Sequence, residues 1–285
     1  VIRTVLRQVK WEQRQFWRNP PSAVFTVVFP LMFLFVLSAL FHSERVDDIP
    51  GSPRYIQVFV PGIVAYGVIN ACYFSLGFTL CVRRDQGVLK RKRGTPLAVG
   101  PFVTGMIANA VVIGAILSVI TVIAGITIIG IDFPQWGTRL PTLIVTLLVG
   151  AFCFSSLGLA VSTLVPNQEA ATAIFNITLL PLLFISGTFA RISNGSAIAH
   201  VAALFPIWHL NKAVEKLFLS PPVSDGAGWQ PMRLLVLAGW GVVGMVIAAK
   251  RFRWEPKSSD GATPRRSRGR TRGAAGADTA SSAAG

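Results

Sequence analysis

The sequence predicts an all-α membrane protein of six transmembrane helices, preceded by an N-terminal amphipathic helix lying in the membrane interface. Three observations carry that expectation. Hydrophobic residues make up 52% of the chain and charged residues only 14%, with a mean hydropathy of +0.57; a soluble domain carries about 25% charged residues because its surface meets water. The apolar residues fall in long blocks, and a block of about 18 or more with few charges can cross a ~30 Å hydrocarbon core as a helix. The basic residues gather in alternate connecting segments, as they do in cytoplasmic loops.

The first element is 1–18. At about 100° per residue, Ile2, Val5, Leu6, Val9, Phe16 and Trp17 fall on one face, and Arg3, Arg7, Lys10, Arg14 and Arg18 on the adjacent one. Such a helix lies with its apolar side in lipid and its basic side toward head groups. Asn19, Pro20 and Pro21 end it, because proline cannot continue a helix and pushes its predecessor into extended backbone. Spans are expected at 22–41 (with Pro30 inside), 56–82, 102–131, 140–165, 170–190 and 232–249, the last with Arg233 at its end. In lipid every backbone amide must be satisfied within the protein, which leaves helices or closed barrels. No stretch shows the alternation of a barrel strand.

The charges orient the spans. Arg3, Arg7, Lys10, Arg14 and Arg18 precede the first with only Glu12 against them. Arg83, Arg84, Lys90, Arg91, Lys92 and Arg93 lie between the second and third against Asp85 alone, and Lys250, Arg251, Arg253 and Lys257 follow the sixth with five further arginines. The loops 42–55 and 132–139 have no such excess. Both termini and the 83–100 loop are therefore expected in the cytoplasm, and an even number of spans satisfies that parity. The domain reading is 1–21 interfacial helix, 22–254 transmembrane domain and 255–285 disordered basic tail, with a moderately apolar outer region at 191–231 expected to form one or two short helices dipping into the membrane. No cleavable leader is expected, since the first apolar block is long, starts late and lacks a small-residue cleavage site.

The net charge of +15 follows from this topology and from contact with anionic lipid heads, so no nucleic-acid partner is expected. Cys72, Cys81 and Cys153 lie inside apolar blocks without ligand spacing, and His42, His200 and His209 are scattered, so neither a disulfide nor a metal site is expected. The sequence has no Walker, Gly-x-Ser-x-Gly or His-Glu-x-x-His motif, and an enzyme is not expected. The span cores hold no acidic residue, which argues against an ion-driven carrier. Asn70, Asn109 and Asn176 are the main polar residues at depth; they line a cavity or bond neighbouring helices.

Two short segments carry a resemblance. In 83–100 an acid, a glycine, a leucine and two basic residues follow one another and Thr-Pro comes shortly after, with Arg84, Asp85, Gly87, Leu89, Lys90, Arg91, Thr95 and Pro96 at those places. This is similar to the cytoplasmic coupling loop of ABC type-2 exporter permeases, although Asp85 stands where glutamate is more usual. The stretch 182–189, with Ser186 and Gly187, resembles the end of the fifth span in the same family, where it forms part of an outer gate. The resemblance reaches to about Trp254 and is strongest to bacterial drug- and antibiotic-resistance permeases. It implies a permease subunit in the bacterial plasma membrane that exports a hydrophobic or amphipathic cargo, such as a drug, antibiotic or lipid. It also implies a second permease chain, and a separate ATP-binding subunit that carries ATP and magnesium, leaving this chain without a cofactor. The competing readings are a membrane scaffold and a lipid-modifying membrane enzyme.

Overall fold

The computed structural model describes residues 2–41, 44–46, 52–88, 99–188, 196–219 and 226–251, and these are helical nearly throughout. The helices are α1 (Ile2–Trp17), α2 (Pro20–Leu40), α3 (Tyr55–Asp85), α4 (Val99–Ala124, prolonged by a π-helical turn at Gly125–Ile129), α5 (Trp136–Leu164), α6 (Gln168–Ile185), α7 (Ala197–Ala202), α8 (Pro206–Phe218) and α9 (Pro231–Arg251). Five of them, α3, α4, α5, α6 and α9, are long and apolar enough to cross a membrane. The first predicted span corresponds to α2, of which the stretch Thr26–Leu40, taken by itself, is apolar but shorter than that length.

The helix limits follow local chemistry. Proline occupies the first turn of α2, where its missing N–H costs nothing. Asn167 caps α6, its Oδ1 accepting from the Ala170 amide. The fifth predicted span, 170–190, stops as a helix at Ile185, because Ser186 and Gly187 turn the chain and Gly187 takes φ +75°. α3 is interrupted by a π-helical turn at Asn70–Ser75, so Asn70 opens an irregularity that periodicity does not reveal.

α3 is the most buried of the long helices, and α4, α5, α6 and α8 pack around it. α9 lies along α5, and the two backbones approach closely at Gly244, where an added Cβ would stand 2.9 Å from the Leu157 nitrogen. The apolar faces left outward on α2, α4, α6 and α9 include Val36, Ile123, Ile177 and Val242. Exposed large aliphatic side chains over this length fit hydrocarbon surroundings, and they define a bundle whose solvent along its flanks is lipid.

α1 makes a contact with the bundle that its sequence pattern does not announce. The helix packs on α4 through a mixed side, with Glu12 buried and Val5, Gln8, Val9 and Phe16 half-buried, while Leu6 and Trp17 are exposed. Gly105 of α4 lets the Gln8 side chain approach. The lone acid of this basic helix is thus its anchor, through Arg83 of α3.

Candidate functional site

Three consecutive residues at the C-terminal end of α3 reach three different elements. Arg83 holds Glu12 of α1 with both terminal nitrogens, each 2.6 Å from a carboxylate oxygen, and one of them also donates to Gln15 at 3.0 Å. This is the planar two-point geometry that arginine offers a carboxylate. Arg84 donates to the carbonyls of Ser162 (3.1 Å), Val165 (2.7 Å) and Pro166 (3.2 Å), at and just beyond the C-terminal end of α5. The Asp85 carboxylate accepts from the Gln168 amide at the start of α6. The Arg84 Nε lies 3.5 Å from the Asp85 Oδ1, an ion-pair contact within the same clasp.

The signs are right for both helix ends. A cation sits on the unsatisfied carbonyls that close α5, and an anion on the unsatisfied amides that open α6. The α3 end is therefore fixed to α1 and to the α5–α6 turn, and two residues later the chain leaves the helix at Gly87, which takes φ +68° with nothing within 4 Å of where a side chain would begin. Leu89, Lys90, Arg91, Thr95 and Pro96 lie outside the described residues.

A cavity of about 160 Å³ lies beside this junction, between α1, α3 and α4, with Glu12, Gln15, Ser75, Thr79, Arg83 and Asn109 among its lining. It is large enough to hold several waters. Asn109 both lines it and bonds a neighbouring helix, accepting from the Gln13 Nε2 at 2.9 Å. Asn70 and Asn176 are half-buried and are not among its lining. Replacing Glu12 by glutamine removes the negative partner of a buried guanidinium while keeping an acceptor, and should weaken the docking of α1 by about 2 kcal/mol. Hydrogen exchange across Ile2–Trp17 would show it as faster labelling confined to that helix, and the double variant Glu12→Gln with Arg83→Gln should recover part of the protection.

At the opposite end, Ser186 and Gly187 meet α8. Asn211 donates to the Ser186 carbonyl at 3.0 Å, and the Ser186 hydroxyl pairs with that of Thr188 at 2.8 Å. Gly62 of α3 permits this turn, since a Cβ there would lie 2.7 Å from the Thr188 carbonyl oxygen. Arg139, at the start of α5 and fully buried, donates to the carbonyls of Leu217 (2.9 Å), Leu219 (2.6 Å) and Gly226 (3.2 Å), closing the end of α8. Sequence reading places Arg139 in a charge-balanced loop and gives it no role; its only signal is a lone cation at the very start of an apolar block. The cysteines are buried free thiols, and among the described residues no group of His, Cys, Asp and Glu could hold a metal ion.

His209 of α8 donates from Nε2 to the Ala203 carbonyl at 2.8 Å. Burial pushes its pKa below the usual 6.5, the Ala203 bond opposes this, and the Arg233 charge adds to the depression. The unfolded chain then binds the proton more readily, so stability is full above about pH 6.5 and is lost as pH falls from there through the folded value. Melting midpoints should drop on acidification in this range, and less so in His209→Gln.

The comparisons with known proteins agree with this architecture. The family model described as ABC-2 type transporter matches residues 5–219. Nodulation protein J of Rhizobium leguminosarum bv. trifolii is 28% identical over 200 residues, covering 69% of this chain and 73% of that protein. The protein of the same name from Rhizobium meliloti (strain 1021) is 27% identical over 200 residues, covering 68% of this chain and 72% of that one. A daunorubicin resistance ABC transporter permease protein, DrrB1 of Streptomyces coeruleorubidus, is 24% identical over 174 residues, covering 61% of this chain and 60% of that one. With a match over most of its length and a bundle of apolar helices built to span lipid, the chain belongs to the ABC-2 type transporter family and is an integral membrane protein.

Proposed function

We propose that this chain is the permease subunit of an ATP-binding cassette exporter, moving a hydrophobic or amphipathic cargo out of a bacterial cell with ATP hydrolysed on a separate subunit. The observation that carries the reading is the junction at the end of α3. Arg83, Arg84 and Asp85 tie this helix to α1 and to the α5–α6 turn, directly ahead of the segment whose Gly87, Leu89, Lys90, Arg91, Thr95 and Pro96 follow the coupling-loop pattern. A push delivered there would be felt by several helices at once, as a nucleotide-driven two-state switch requires. Arg84 and Asp85 then serve coupling from within the bundle, and Leu89, Lys90 and Arg91 meet the partner.

The topology that goes with this has α2 as a sixth span, α1 in the cytoplasmic interface with both termini inside, and two permease chains per transporter. The exposed side of α1 suits the interface, since it offers Arg3, Arg7, Lys10, Arg14 and Arg18 together with Leu6, Trp11 and Trp17. Ser186 and Gly187 would form part of an outer gate, backed by Asn211. A relative named for daunorubicin resistance favours efflux of an amphipathic drug.

The test is a pull-down of the tagged chain from native membranes with ATPase activity assayed in the eluate. An ATP-binding subunit should co-purify with the wild type and be lost, or be present but unstimulated, in Gly87→Val and in Lys90→Glu with Arg91→Glu. Valine at Gly87 meets a left-handed backbone that costs a non-glycine residue roughly 1–2 kcal/mol. A chain that elutes alone without nucleotide dependence would move the reading to a scaffold or a lipid-modifying enzyme.

A further inference from the structure

α6 is held at both of its ends. At its first turn the Asp85 carboxylate takes the Gln168 amide, and Arg84 locks the α5 carbonyls just ahead of it. At its last turn the Ser186 carbonyl is bound by Asn211, and the Thr188 carbonyl rests against Gly62. Between these anchors it leans chiefly on α3, where the Tyr73 and Thr178 hydroxyls bond at 2.7 Å, and it turns Ile177, Leu180 and Phe184 outward. Its 18 residues span about 27 Å at 1.5 Å per residue, nearly the thickness of the hydrocarbon core.

A helix fixed firmly at both ends and lightly along its side transmits displacement lengthwise, because its own backbone bonds are stiffer than its contacts. We infer that Arg84 and Asp85 are positioning residues that lock α6 to the end of α3, making α6 the rod through which movement at the coupling end reaches the Ser186–Thr188 turn. This rests on the exporter reading for the source of the movement, though not for the lock itself. The two-state element such coupling needs is the contact of the Ser186–Thr188 turn with Asn211 and Gly62, which either holds or releases.

The lock makes an unusual demand: it must stay closed throughout the cycle. The experiment uses the complex with its ATP-binding subunit in nanodiscs, in a background with Cys72, Cys81 and Cys153 replaced by serine. Spin labels at Phe184→Cys and Leu235→Cys, both exposed, report the far end of α6 against α9. Trapping with ATP and vanadate should shift their distance distribution in the chain that keeps Arg84 and Asp85. The shift should be lost in Arg84→Gln with Asp85→Asn while the ATP-binding subunit still co-purifies. In a separate chain carrying Asp85→Cys and Gln168→Cys, joined by a short bifunctional reagent, nucleotide should still alter accessibility at Phe184, read by solvent relaxation of a label introduced after joining. Loss of that response on joining, with recovery on cleavage of the linker, would mean the junction must open and would overturn the inference, as would a full shift in the Arg84→Gln, Asp85→Asn chain. Hydrogen exchange at the Gln168 amide judges the lock without nucleotide. Faster exchange in Asp85→Asn is expected, and unchanged protection would overturn the inference. An unmutated complex with no nucleotide response at all would instead refute the exporter reading, leaving the exchange result to decide the lock.

Discussion

Arg139→Ala should cost about 3 kcal/mol or more, since it strips the partner from three backbone carbonyls at once and each unsatisfied buried acceptor costs ~1–3 kcal/mol. The carbonyls of Leu217, Leu219 and Gly226 converge on one fully buried guanidinium, and two of them belong to the end of α8, where no intrahelical amide can serve them. Leu217, Phe218 and Leu219 around the site are apolar and buried, and the nearby Gln57 amide already donates to the Phe218 carbonyl at 3.4 Å. Arg139→Lys should rank between wild type and alanine: an ammonium keeps the charge but lacks the fork that reaches several acceptors from one plane. Thermal unfolding of the solubilised protein measures the series. A midpoint in Arg139→Ala equal to the wild type would show that the clasp at the end of α8 contributes nothing. The change should also speed hydrogen exchange in Pro206–Phe218 before it affects α5, as expected of a local opening that spares the global fold.

How much of this was legible beforehand depends on which physical signal each feature leaves in sequence. The long helices are visible because lipid imposes a length and an apolar composition on a contiguous stretch, and five of the expected spans match helices within a few residues at most ends. The end of α6 fell short of the expected 190 because the apolar run continues past the turn at Ser186 and Gly187, and hydropathy cannot see a left-handed backbone. Arg84 and Asp85 were singled out by their motif, yet their contacts with Ser162, Val165 and Gln168 cross some eighty positions of chain and leave no local trace. Glu12 is the instructive failure. A helical wheel sorts residues by polarity and turns the face with Leu6 and Trp17 to lipid, leaving Glu12 without a role; the structure buries Glu12 because a bidentate partner, Arg83, meets it there. In a membrane protein the protein-facing side of an interfacial helix can be the more polar one, since lipid already accepts the apolar residues.

Gly158→Leu should cost about 3 kcal/mol, the upper end of what overpacking costs. A Cβ at Gly158 would stand 2.6 Å from the Tyr73 carbonyl oxygen and 3.0 Å from that of Cys72, so the obstacle is backbone and cannot rotate away. That backbone belongs to the π-helical turn Asn70–Ser75 of α3, and the fit is reciprocal: Gly77 of α3 faces the Gly158 carbonyl, where a Cβ would lie 2.8 Å away. The two helices thus cross with main chains in contact, which small residues permit and which packing within lipid favours. Even Gly158→Ala should destabilise, against the usual gain from replacing a helical glycine. Gly239 of α9 supplies the control, as nothing lies within 4 Å of its would-be Cβ. Gly239→Leu should therefore be harmless or mildly stabilising, whereas Gly158→Leu should yield little monodisperse protein on extraction. Equal yields and equal melting midpoints for the two variants would mean that α3 and α5 do not cross at Gly158. The same crossing lies between the Arg84–Asp85 junction and the turn at Ser186, so Gly158→Ala, if it folds, tests whether α3 and α5 must remain in register for the two ends of α6 to move together.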